Sequence, residues 1–208
     1  MEAMPTLEAV VVPDNLATPQ RSTFRVYPTP DWTQFCTNQG MDHRRDGVYI
    51  PRSLSAHLHS NTAFIQLYFF HEFYGHGSFC EYSSIGKKIV AYEHELAEIE
   101  KAVLGVTELP ENTRFRVTSD HILFADYKTL RDELQQYFAA NHDVYEGFAL
   151  WFEKQLALRN GLGELHKARM ELVDSPHRAI LTDIEYFVKS NGVAALLEKL
   201  DFDQDVIP

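Results

Sequence analysis

A mostly α domain (α+β) with a small β element on its N-terminal side is the fold this sequence predicts, and three observations carry that prediction. Beyond Pro51, apolar residues recur at helical spacing in one segment after another. Before it, two short stretches alternate as strands do. Of the 208 residues, 45% are hydrophobic, with 14 Phe and 10 Tyr, enough for a real core. A chain of this length forms one domain, or one with a small appendage. Residues 1–22, where Pro5, Pro13 and Pro19 lie among small polar residues, read as an extended or loosely ordered arm, and 23–208 as a single domain.

The elements follow in order. Thr23–Tyr27 alternates until Pro28 and Pro30 stop it, and Gly47–Ile50 is closed by Pro51. Ser60 or Asn61 can cap a long apolar helix that runs from Thr62 through Phe70 into His71–His76. A second helix covers Ile89 to Leu104, with a charged face and an end near Gly105. Arg114–Val117 alternates within a loop. Tyr127–Ala140 is amphipathic, and Asp143–Arg159 forms another helix closed by Gly161 and Gly163. Helices over Leu165–Val173 and Pro176–Lys189, and a short one near Val193–Leu200, complete the chain.

Composition excludes several functions. There are 19 Lys and Arg against 30 Asp and Glu, a formal net charge of −11. Such a chain is a poor nucleic-acid binder, because that affinity rests on cationic side chains releasing counterions. Anionic membrane surfaces are disfavoured for the same reason. Two cysteines, Cys36 and Cys80, rule out a disulfide framework. The first residues lack a basic, then apolar, leader pattern, and no segment approaches the roughly 18 apolar residues that span a bilayer. A cytoplasmic protein is expected.

The chemistry concentrates in His71-Glu72-Phe73-Tyr74-Gly75-His76, H-E-x-x-G-H. Two neutral imidazoles on one helix bind Zn²⁺, and the glutamate beside the first polarises the attacking water as general base. The familiar H-E-x-x-H spacing separates its histidines by about 40° around a helix. Here the interval is five residues, about 140° in a regular helix. A shared metal therefore requires one residue to be absorbed, most simply in a π-bulge, and Gly75 suits that distortion.

The hexapeptide resembles the signature of the dipeptidyl-peptidase III family of zinc peptidases. That resemblance covers six residues and implies His71 and His76 as ligands and Glu72 as base; the domain is expected to be zincin-like and helical. A catalytic zinc keeps a third protein ligand and an open position, and two glutamates compete for it. Glu146, in Tyr145-Glu146-Gly147-Phe148-Ala149, lies in a segment similar to the one that supplies the ligand glutamate in the aminopeptidase N family. It sits in an apolar helix where a buried acid needs a partner charge, and Gly147 and Ala149 leave room for the metal helix. Glu95 is the alternative. Its distance from His76 is similar to that in aminopeptidase N and thermolysin, but its neighbours are charged and fit a solvated face. Glu146 is preferred.

Other residues carry weaker signals. His142, Tyr145 and Tyr127 are candidates to stabilise an oxyanion. Glu153, two turns beyond Glu146, could support the site but reads better as a surface acid. Glu81 and Tyr82 could contact substrate or lie at the surface, and His57 and His59 are expected to face solvent. Cys80 reads as a small buried thiol, and Asp201–Asp205 as a solvated acidic tail.

These features point to a gluzincin-type zinc metallopeptidase, a hydrolase of peptide bonds acting on a peptide or protein substrate, with no nucleic-acid or membrane partner. The runner-up is a non-catalytic, zinc-stabilised binding or regulatory module; a weaker third reading is an all-helical interaction protein without metal.

Overall fold

One helix organises the molecule. In the computed structural model, which describes residues 7, 10–14, 16–109, 115 and 117–203, α5 (Phe124–Arg159) runs unbroken for 36 residues. It replaces the two helices expected over Tyr127–Ala140 and Asp143–Arg159. Residues 141 and 142, an asparagine and a histidine of modest helix propensity, are carried through because the helix has neighbours along its length. It packs against the metal-motif segment, α4 (Ser84–Leu104) and α7 (Ser175–Asn191). Its buried Phe148, Trp151, Phe152 and Leu156 anchor the main core.

A three-stranded sheet caps this helical layer. The central β3 (Ser55–His59) pairs in parallel with β1 (Thr23–Tyr27) and antiparallel with β2 (Gly47–Ile50), so β2 is an edge strand. β1 and β2 lie where the alternation predicts them. β3 was not expected: its period of two is carried by only Ala56 and Leu58, both fully buried. Nor was α1 (Thr29–Gln39). Pro30, read as a stop, occupies the first helical turn, where its missing N–H costs nothing. Trp32, Phe35 and Cys36, at helical spacing, form a small core against the outer face of the sheet.

His57, expected to face solvent, is buried on that face. It stacks on Phe35 with ring centroids 4.4 Å apart, and its nitrogens contact the Tyr27 hydroxyl and Ser55 Oγ, each at 2.8 Å. His59 is half-buried, stacked on Trp32 at 5.8 Å.

The metal motif belongs to one helical rod made of α2 (Ile65–Phe69), a π-helical segment (Phe70–His76) and α3 (Gly77–Tyr82). No side chain caps its start. Ser83 then caps α4, its hydroxyl accepting from the Gly86 N–H at 2.9 Å. Gly105 closes α4 in the left-handed region, as expected. After α5 come α6 (Gly163–Leu172), α7 and α8 (Val193–Lys199).

The arm is tied to the back of the rod. Leu16 and Ala17 are buried. Glu81, which the sequence left between substrate contact and surface, is buried and accepts the backbone N–H groups of Gln20, Arg21 and Ser22 at 2.6–3.0 Å. Tyr82 donates to the Thr18 carbonyl at 2.8 Å. Pro5, residues 114 and 116 of the expected Arg114–Val117 alternation, and residues 204–205 of the acidic stretch lie outside the described residues. No helix among the described residues is long and apolar enough to cross a membrane.

Candidate metal centre

The π segment decides the site. Within it the Gly77 N–H reaches the Glu72 carbonyl, five residues back, so the turn accommodates one more residue than an α-helical turn. That extra residue brings His71 and His76 to one side, with ring centroids 4.7 Å apart and planes nearly perpendicular. Both are buried. Gly75 lets the segment approach α5: a Cβ on it would lie 2.7 Å from Ala149 Cα. Gly147 faces elsewhere, since its Cβ would meet Ile180 of α7 at 2.4 Å. Of the two small residues on α5, Ala149 makes room for the metal helix and Gly147 for α7.

Across this contact α5 delivers Glu146. Its Oε2 is 3.5 Å from His71 Nε2 and 3.8 Å from His76 Nε2. Glu72 Oε2 is 4.0 Å from His76 Nε2. His71, Glu72 and His76 offer ligand atoms within 4.8 Å of one another, a buried His-Glu-His group that could hold a metal ion. Glu95 is exposed on α4 and lines no part of this cleft.

Burial and mutual charge set the electrostatics. Burial opposes a charged His71, but Glu146 and Glu153 outweigh it and lift its pKa to about 9. Burial pushes His76 down to about 3 and Glu72 up to about 7. Burial would also raise Glu146, yet His76 and His71 hold it well below the carboxylate range. Imidazoles and carboxylates packed this closely form a setting that a cation compensates.

Glu153, expected at the surface, is fully buried behind His71. Its Oε2 lies 3.3 Å from His71 Nδ1, and Arg169 of α6 holds both its oxygens at 2.9–3.0 Å. The Arg169 guanidinium is itself 4.5 Å from the Tyr68 ring. Glu153 follows Glu146 by seven residues on α5, two turns along one face, which was the signal available in the sequence. Arg169 had none.

The site opens into a cleft of about 670 Å³. Gly47 of β2 forms part of its wall, so close to Glu72 that a Cβ there would lie 3.1 Å from Oε1. His142 lines the cleft. Tyr145 also lines it but stacks on His76 at 4.0 Å, with its hydroxyl engaged by Cys80. Tyr127 donates to Glu100 at 3.1 Å and lines a second cavity of about 550 Å³. The two cavities share Val48, Tyr49, Pro51, Glu93, Arg131 and Leu134 in their walls. Cys80 is a buried free thiol that burial pushes up strongly. No family model matches the chain, and neither does any curated protein or solved structure.

Proposed function

We propose that the chain is a zinc-dependent peptidase in which His71, His76 and Glu146 hold the metal and Glu72 is the general base. One observation carries this reading: α5 presents Glu146 to both imidazoles across a π segment that has already turned them to one side. The donor set of two imidazole nitrogens and one carboxylate oxygen is that of an open catalytic zinc site, whereas structural zinc sites close their fourth position with protein.

Zinc bound there would lower the pKa of water and polarise the scissile carbonyl. Glu72, buried between His76 and Gly47, takes the proton of the attacking water and passes it to the leaving amine. His142, which lines the cleft, is the candidate to stabilise the developing oxyanion. Tyr145 and Tyr127 have their hydroxyls engaged elsewhere. Two free, buried cysteines fit a reducing compartment such as the cytoplasm.

The test pairs metal analysis with turnover. Purified protein should contain about one zinc per chain. Glu72→Gln should retain that zinc while losing turnover of a peptide substrate by on the order of 100-fold or more. Unchanged cleavage by this variant removes Glu72 as the base. Zinc without cleavage of any peptide favours the non-catalytic module.

A further inference from the structure

In an acidic chain, the wall of the metal cleft carries two arginines. The protein has 30 acidic side chains against 19 Lys and Arg, yet the cleft is lined by Arg45 and Arg131, neither with an ion-pair partner among the described residues. The acids that line it are already engaged. Glu146 and Glu72 face the imidazoles, and Glu93 accepts from Arg52 Nε at 3.0 Å.

The two arginines come from different elements, Arg45 from the turn before β2 and Arg131 from α5. Arg45 lies two residues before Gly47, the residue packed on Glu72, and lines only the metal cleft. Arg131 lines both cavities, as does Pro51 at the end of β2. Arg131 precedes Glu146 by fifteen residues on α5, about 22 Å along its axis. Gln135, Phe138 and His142 line the cleft between them. About six residues of extended peptide cover that distance.

We infer, on the peptidase reading of the site, that the cleft selects acidic peptides, with Arg45 receiving a carboxylate beside the scissile bond and Arg131 a second one about six residues away. Arginine suits both positions because its planar fork pairs bidentately with carboxylates. Both act as specificity residues.

Ten-residue fluorescent peptides with Glu, Gln or Lys at two positions six residues apart test this. Anisotropy against the zinc-loaded full chain reads binding, and product analysis reads kcat/KM. The Glu peptide should bind on the order of tenfold tighter than the Gln peptide, with the Lys peptide weakest, and the preference should shrink as salt rises. Arg131→Glu should reverse the order by weakening the Glu peptide and strengthening the Lys peptide; Arg45→Glu should do the same. Equal affinity for all three peptides, or a preference untouched by both substitutions, overturns the inference. Cleavage without an acidic preference sinks it and leaves the peptidase reading standing. Preferential binding without cleavage does the reverse.

Discussion

Gly75 of the π segment and Ala149 of α5 touch backbone to backbone, and a methyl group at position 75 would lie 2.7 Å from Ala149 Cα and 2.9 Å from its Cβ. Neither obstacle is the flexible end of a side chain, so the two helices would have to part. The same crossing seats Glu146 against the imidazoles. Gly75→Ala should therefore lower stability by about 1–3 kcal/mol through overpacking and weaken zinc binding as well. Thermal melts with and without zinc read both effects, and Ala149→Gly in the same chain should restore part of each.

Glu146 and Glu95 make opposite predictions. Glu146→Ala removes the carboxylate nearest both Nε2 atoms and should release zinc to a competing chelator. Glu95→Ala changes an exposed residue outside the cleft and should leave metal content unaltered. Loss of zinc from the Glu95 variant alone would reverse the ligand assignment.

Glu153 should act through His71. A carboxylate behind a ligating imidazole orients the ring and raises its basicity, and its loss typically costs roughly 10–100-fold in metal affinity. Glu153→Gln should show that loss in a zinc titration at a smaller cost in stability, since glutamine can still accept from Arg169 although the buried guanidinium loses its counter-charge. Arg169→Met should instead destabilise the fold by on the order of 3–5 kcal/mol, because it leaves a buried carboxylate without its cation. Circular dichroism during urea unfolding separates the two.

His57 should make stability depend on acid, independently of the metal. Burial, reinforced by the charge of Arg25, lowers its pKa from 6.5 to about 4. As pH falls the unfolded chain takes up the proton first, so this contribution is complete above pH 6.5 and erodes as pH drops toward 4. The total is on the order of 3 kcal/mol. Urea midpoints across this range should flatten in His57→Gln relative to the parent chain, and an unchanged slope would show that another group dominates.

Much of the fold and part of the site were legible in the chain itself. Helical spacing beyond Pro51, the alternation of Thr23–Tyr27 and Gly47–Ile50, and Gly105 at a helix end are local signals, and each corresponds to an element. The five-residue interval between His71 and His76 named the distortion a shared ion would require, and a π segment lies there. Two elements escaped because their signals conflict. Pro30 breaks a strand but opens a helix, and β3 carries histidines on a face that α1 covers.

Residue types and spacing thus determined which side chains can bind a metal and what bend their helix needs. Tertiary structure decided which distant acid lies beside them, Glu146 at 3.5 and 3.8 Å from the two imidazoles. Glu146 and Glu95 are both helical glutamates downstream of His76, and choosing between them depends on which helix crosses the π segment at Gly75. The same holds for Glu153, which is buried because Arg169 arrives from α6 to neutralise it. A helix crossing and a buried ion pair join residues far apart in sequence, and periodicity along one segment carries no information about what packs across it.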